Sequence, residues 1–405
     1  MRLSLFAILT AIISLFLSLM DQGSDYKTMN DQDTLSSSCV TLFLCGDVMT
    51  GRGLDQILPN SVDPRIYEPY VKDAREYVRL AEKANGPIDQ PVSYSYIWGD
   101  AIEVWKQIAP AFKIINLETS ITSYDQPLPG RGINYRMHPD NVQVLTCAGI
   151  NFCSLANNHI LDWELGGLRE TIQTLKNAGI KYAGAGIDLN EASNPAQLKM
   201  AQSRVIIFAF GSETSGIPKN WTATSGSPGL NLLPLNVDEA LNMISKQVKA
   251  IKQSGDIVVL SVHWGSNWGY NIPVDQRNLA HSLIDYADVD IIYSHSSHHP
   301  RGIEVYKNKL ILYGTGDFIN DYEGIIGYEK QYRNDLTLMY FPCIDPSNGN
   351  LVSMIMVPMQ IKNFRLAHVS VSDADWLCNI LNRVGSNLGT RITLDENHYF
   401  SLHWD

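Results

Sequence analysis

Five short apolar runs in this 405-residue chain each stop on an acidic, amide or imidazole side chain. They are Leu42-Phe43-Leu44-Cys45-Gly46-Asp47, Ile114-Ile115-Asn116-Leu117-Glu118, Phe152-Cys153-Ser154-Leu155-Ala156-Asn157-Asn158-His159, Val258-Val259-Leu260-Ser261-Val262-His263 and Ile291-Ile292-Tyr293-Ser294-His295. Short apolar runs between turn signals read as strands covered on both faces. Ligands of open α/β sheets gather beyond the carboxyl ends of such strands. Five strands ending this way would deliver oxygen and nitrogen donors to one rim, which is the composition of a metal centre.

The rest of the chain supports a layered α/β fold. From residue 40 to about 345 strand-like and helix-like segments alternate. The spacing predicts helices over 98–108, 140–147, 165–178, 237–252 and 274–286, and a further helix starting near Ser372. Residues 302–306 and 309–313 read as a hairpin turning on Lys307-Asn308, followed by strands over 336–341 and 353–361. Insertions at 59–95, 121–135 and 211–235 are long for connections inside a compact domain, so they are expected to wall a site. Residues 39–345 are expected to form the main domain, with 346–405 packing on it as a strand and helix segment.

Charge excludes one class of partner. The chain carries 31 basic and 42 acidic residues, a net charge of −11, and no dense Lys/Arg stripe, so nucleic acid is not expected as a partner. Apart from Arg2, residues 1–20 are dominated by an apolar run, which reads as a signal sequence or membrane anchor. A polar stretch over 21–38 reads as a linker. The protein is accordingly expected outside the cytoplasm, tethered or secreted. Cysteines at 39, 45, 147, 153, 343 and 378 include no C-x-x-C pair, and spacing alone assigns no disulfide.

No single residue among the strand ends is decisive, but the set is. Five of the ten histidines fall at 159, 263, 295, 298 and 299, and imidazoles so crowded are natural ligands when neutral. Asp47, Glu118, Asn158, His263, His295 and His298 make six candidate ligands. That exceeds what one catalytic zinc takes and suits a cation pair of the kind that hydrolyses phosphate esters and some amides.

The order Asp, Glu, Asn-His, His, His-x-x-His resembles the calcineurin-like metallophosphoesterase superfamily. More closely it resembles the CapA family of capsule, or poly-γ-glutamate, biosynthesis proteins. The matching segments are Gly46–Arg52, Asn116–Glu118, Leu155–His159 with Asp162, Val262–Gly265, His295–Tyr306 and Tyr313–Phe318. The resemblance implies a four-layer α/β-β/α sandwich and two divalent cations, manganese, zinc or iron. Asp47, Glu118 and His298 would hold one cation; Glu118, Asn158, His263 and His295 would hold the other. His159 would be a general acid supported by Asp162, and Arg52 would contact an anionic substrate or an inner carboxylate. Asp317 is placed outside the ligand set. Met49 stands where the wider superfamily has a histidine, and Glu118 where it has an aspartate; CapA-like proteins share both departures.

Two functions follow from this resemblance. One is a metal-dependent hydrolase of phosphoester or γ-amide bonds, acting on an anionic polymer gripped by Arg136, Trp264, Trp268 and Tyr270. The other is a non-catalytic, membrane-tethered subunit that binds polymer beside membrane synthase or export subunits.

Overall fold

The computed structural model describes residues 39–201, 203–325 and 331–405, of which Cys39–Asp405 belong to one compact unit. The expected leader over 1–20 and linker over 21–38 lie outside the described residues. Among the described residues no helix is long and apolar enough to cross a membrane.

Nine strands matter for the site and its support. In chain order they are β1 (Val40–Val48), β2 (Phe112–Leu117), β3 (Phe152–Ser154), β4 (Arg204–Gly211), β5 (Ile257–His263), β6 (Ile291–His295), β7 (Asp317–Ile319), β8 (Leu336–Asp345) and β9 (Asn350–Lys362). A ten-stranded sheet runs Thr390–Leu394, Phe400–Trp404, β9, β8, β1, β2, β3 and Lys181–Ala183, with β7 also paired to β1 and Arg365–His368 to β9. A six-stranded sheet runs Ile303–Tyr306, Lys309–Leu312, β6, β5, β4 and Ala196–Lys199. Strands β1, β2, β3 and β7 are mutually parallel where they pair, and so are β4, β5 and β6. Their carboxyl ends therefore collect at one edge of each sheet.

Strand parity makes the layers. Successive side chains alternate between faces, and every central strand is apolar on both. Leu42 and Leu44, Val205, Ile207 and Ala209, Ile257 and Val259, and Ile291 and Tyr293 all join one buried cluster between the sheets. Their neighbours go the other way. Phe43 and Cys45 pack with helices Arg75–Asn85, Ala101–Ile108 and Glu164–Asn177. Ile206, Phe208, Val258, Leu260 and Ile292 pack with helices Val237–Ile251 and Val274–Ala287. Helix, sheet, sheet, helix is the four-layer sandwich expected from the resemblance. The same parity puts Ser261, His263 and His295 on the face that looks toward the other sheet.

Most expected helices form within a few residues of their predicted bounds. The segment over 98–108 divides into a 3-10 turn, Tyr96–Trp98, and the helix Ala101–Ile108; that over 140–147 divides into Pro139–Val142 and Gln143–Cys147. The last helix is Val371–Gly385, and Ser370 caps it by accepting the Asp373 N–H at 3.2 Å. Lys307 and Asn308 both take positive φ, 49° and 60°, as a two-residue hairpin turn requires. The insertion over 59–95 holds a helix, Arg75–Asn85, with Tyr77, Val78 and Ala81 buried on one face. Its many polar and charged residues hide that stripe in the sequence.

A disulfide joins Cys39 to Cys343 with a Cα–Cα distance of 5.7 Å. It ties the residue before β1 to the antiparallel neighbour β8, where Thr41 pairs with Cys343.

Candidate metal centre

Asp47 lies near the end of β1, past an irregularity in its pairing with β2. Parallel pairing sets Asp47 opposite Asp317, the first residue of β7. This closeness depends on two glycines. A Cβ on Gly46 would lie 2.0 Å from the Gly316 carbonyl oxygen, and Gly316 takes φ 79°, which favours glycine. The Asp47 N–H donates to the Gly316 carbonyl at 2.8 Å.

Glu118 follows β2 directly. Asp47, Glu118 and Asp317 can present carboxylate oxygens that all lie within 4.8 Å of one another, and Asp47, His263 and His295 form a second such group. All five residues are buried. Glu118 Oε1 is 3.9 Å from His263 Nε2, and His263 Nε2 also meets Asn158 Oδ1 at 2.9 Å. The His263 and His295 rings face each other Nδ1 to Nδ1 at 2.7 Å, and His295 Nε2 meets the Ser261 hydroxyl at 2.8 Å. Asn116 Nδ2 donates to Asp47 at 2.7 Å, and the Ser296 N–H donates to it at 3.2 Å. Ser296 takes φ 97°, a strained conformation for a non-glycine residue of the kind found at functional sites.

The donor set fits divalent cations. Among the described residues no lysine or arginine pairs with Asp47, Glu118 or Asp317, so three buried carboxylates face one another without a fixed counter-charge. Burial, reinforced by Asp317, pushes the Asp47 carboxyl up to about 7. Burial, then the charges of Asp47 and Asp317, holds Glu118 well above the carboxylate range. The imidazoles move the opposite way. Burial drives His295 down to about 3 and, with help from His295, lowers His263 well below its usual range. Neutral imidazoles beside under-ionised carboxylates are ready ligands once a cation displaces the protons. Cation binding at pH 7 is therefore expected to release protons, drawn from Asp47 and Glu118. Calorimetry at pH 7 in buffers of different ionisation enthalpy checks this; a heat independent of buffer contradicts it.

His159 stands beside this cluster. Its Nδ1 meets Asp162 Oδ2 at 2.6 Å, which leaves Nε2 directed to Glu118 Oε1 at 4.0 Å. Asp162 is itself fixed by Arg131 Nε at 3.0 Å and the Tyr135 N–H at 2.8 Å. The Tyr135 ring lies 4.1 Å from the imidazole, centroid to centroid. Burial lowers the His159 pKa despite the opposing charge of Asp162. Asn157 accepts the His159 N–H at 3.1 Å and donates to the Leu117 carbonyl at 2.8 Å, joining the loop after β3 to β2.

The remaining candidates are placed unequally. His298 reaches the cluster through Asp317, whose Oδ1 meets His298 Nδ1 at 2.9 Å. Asp317, expected outside the ligand set, thus sits among the potential ligand atoms. Arg52 is buried and committed to other groups: it forks onto Asp321, donates to Glu68 at 2.8 Å and lies 3.7 Å over the Tyr77 ring. Arg136 stacks 3.7 Å over Trp163 and donates to the carbonyls of Tyr124 and Asp63. Trp264 is 3 % exposed and packs in the layer under helices Val237–Ile251 and Val274–Ala287, which closes its ring to a polymer. Trp268 and Tyr270 are half-buried at the end of the same loop. Met49 is buried as a core side chain.

The profile of the family described as bacterial capsule synthesis protein PGA_cap matches residues 41–322. The chain belongs to this family. Among its relatives is a "probable polyglutamine synthesis accessory protein" of Mycobacterium tuberculosis, 45% identical over 356 residues, which cover 87% of this chain and 93% of the relative. The capsule biosynthesis protein CapA of Bacillus anthracis is 28% identical over 282 residues, 70% of this chain and 60% of that protein. The PGA biosynthesis protein CapA of Bacillus subtilis is 29% identical over 296 residues, 73% of this chain and 65% of that protein. The PGA_cap match spans every candidate ligand from Asp47 to Asp317.

Proposed function

We propose that this PGA_cap protein is a metal-dependent hydrolase of phosphoester or γ-amide bonds in the synthesis of a capsule-type glutamate polymer. What carries the reading is the convergence of Asp47, Glu118, Asp317, His263 and His295 in one buried cluster that lacks a fixed positive charge. Family membership and the roles that the relatives' names carry support the polymer context. Divalent cations bound at this cluster would supply Lewis-acid polarisation of the scissile group and activation of water. Asp47, Glu118 and Asp317 with His263, His295 and the Asn158 amide would hold them.

The chain's own residues do the rest. Asp162 fixes the His159 ring through Nδ1, so only Nε2 can exchange a proton with a group above Glu118. That assigns His159 the general acid for the leaving group, with Asp162 orienting it and stabilising its charged form. Arg131 and the Tyr135 N–H keep Asp162 from rotating away. The Cys39–Cys343 disulfide supports a location outside the reducing cytoplasm, where a capsule polymer is assembled beside membrane synthase or export subunits.

Metal analysis of the purified chain, then assays with a generic phosphodiester and a γ-glutamyl peptide, tests the reading. His159→Ala is expected to keep its metal and lose about 10²–10⁴ in turnover. Less than about one equivalent of metal after loading, or full turnover in this variant, contradicts it. A second reading, a polymer-binding subunit without turnover, is favoured by Met49, which leaves the cation site nearest Asp47 one histidine short of the superfamily pattern. Metal-dependent polymer binding with no hydrolysis of either substrate would select it.

A further inference from the structure

Two tyrosine hydroxyls from segments 187 residues apart, those of Tyr135 and Tyr322, meet beside the donor cluster with their oxygens 2.9 Å apart. The Tyr135 ring lies 4.1 Å from that of His159, and the Tyr322 ring stands edge-on to that of His298 at 5.7 Å. The pair therefore spans the gap between His159 and the histidine on Asp317. Tyr135 is 2 % exposed, whereas Tyr322 is half-buried.

Each tyrosine is held by the machinery it borders. The Tyr135 N–H donates to Asp162 at 2.8 Å, and its carbonyl accepts from Trp163 Nε1 at 3.1 Å. Asn320 does the same for Tyr322: its Oδ1 accepts the Tyr322 N–H at 3.0 Å, while its Nδ2 donates to Asp317 at 2.8 Å. The Arg52 guanidinium lies 5.0 Å from one ring and 5.7 Å from the other, already paired with Asp321 and Glu68. Donors fixed in advance need no reorganisation when charge develops beside them.

Proton counting gives the pair its use. Two hydroxyls carry two protons, and the bond between them consumes one. Among the described residues neither hydroxyl has another hydrogen-bond partner, so one O–H is unspent. Burial, then the charges of Tyr135, Asp317 and Glu118, holds the Tyr322 hydroxyl well above the phenol range, so it stays a donor.

We propose that the Tyr135–Tyr322 hydroxyl pair donates this remaining proton, in a hydrogen bond, to the oxygen of the scissile group that gains charge in the transition state. It rests on the hydrolase reading given above and deepens it by adding a donor that the protein itself supplies. The bond between the hydroxyls can run in either direction, so either tyrosine can donate outward. Removing one hydroxyl leaves the other with its own proton. Removing both leaves no donor and orphans no buried partner.

Turnover by the metal-loaded full chain is measured for Tyr135→Phe, Tyr322→Phe and the double variant, with nitroaryl and alkyl leaving groups on whichever bond type is hydrolysed. Each single variant is expected to lose about tenfold or less in kcat, and the double variant about 10²-fold or more. KM, metal content and melting temperature stay unchanged, because the bond is made only in the transition state. Tyr286→Phe, an exposed tyrosine elsewhere, keeps wild-type turnover. Leaving groups separate this role from one exercised through His159. A nitroaryl group needs little protonation, so the loss in His159→Ala shrinks on it, while the loss in the double variant stays the same. A double variant that keeps full turnover, loses its metal, or recovers on the nitroaryl substrate as His159→Ala does would overturn the assignment. If the wild type hydrolyses neither bond type, the hydrolase reading fails, and calorimetric titration with inorganic phosphate decides the tyrosines. Phosphate bound at least about tenfold tighter by the wild type than by the double variant then supports the donor; equal affinity overturns it.

Discussion

Glu118→Gln is expected to stabilise the metal-free protein and to abolish its response to divalent cations. Glu118 is 3 % exposed and shares its surroundings with Asp47 and Asp317. At neutral pH the metal-free fold must either protonate this carboxyl or hold it charged among others, and both are unfavourable. Glutamine keeps the shape and removes the charge, so the metal-free variant should gain on the order of 1–2 kcal/mol, or about 2–4 °C in melting temperature. The sign follows from linkage. Asp47 and Glu118 have raised pKa values in the fold, so their contribution to stability is present below the ordinary carboxylate range and is lost as pH rises above it, for Asp47 through about 7. His263 and His295 have lowered values, and their contribution is lost only as pH falls below the ordinary imidazole range. The advantage of the variant should therefore grow between pH 6 and pH 8. With cation about a thousandfold above its Kd the wild type should gain about 4 kcal/mol, and the variant little. Melting curves with chelator and with Mn²⁺ at both pH values check this; equal cation-induced shifts in the two proteins would sink it.

Loss of the disulfide should be the largest single blow to stability. Cys39 and Cys343 are separated by 304 residues, so the bond closes a loop that includes most of the described fold. Constraining an unfolded chain of that length is worth on the order of 3–5 kcal/mol. The Cys39→Ser/Cys343→Ser double variant, or the wild type in reductant, should unfold at a markedly lower urea midpoint and with a steeper slope, because the unfolded chain without its cross-link exposes more surface. Its metal content, once loaded at low temperature, should stay the same, because neither cysteine touches the donor cluster. An unchanged midpoint would show that the bond is dispensable.

The candidate ligands were legible where the chain signals them by position. Asp47, Glu118, His263 and His295 each end an apolar run or follow it at once, and strand parity then turns His263 and His295 toward the opposite sheet. Asp317 escaped because it begins a strand instead of ending one. Its place is set by parallel pairing with Asp47 and by the Gly46–Gly316 approach, which are contacts between segments about 270 residues apart. Arg52 illustrates a different limit. The resemblance implies contact with an anionic substrate or an inner carboxylate, and the Arg52 guanidinium pairs with Asp321 and Glu68, partners the sequence does not reveal. Trp264 and Trp268 sit four residues apart in one aromatic loop, and only the packing of helices Val237–Ile251 and Val274–Ala287 separates a core ring from a half-exposed one. The helix Arg75–Asn85 stayed hidden because its buried face is three residues wide. The cysteine pairing followed from the antiparallel contact of β1 with β8, which no spacing encodes.

The two sheets share the donor cluster unequally, with carboxylates from one and imidazoles from the other. A cation held there would act as a rivet across the seam, since each half alone offers an incomplete coordination sphere. Removing it should let the sheets shear before either unravels, so amide exchange along β5 and β6 should quicken in chelator well below the melting temperature.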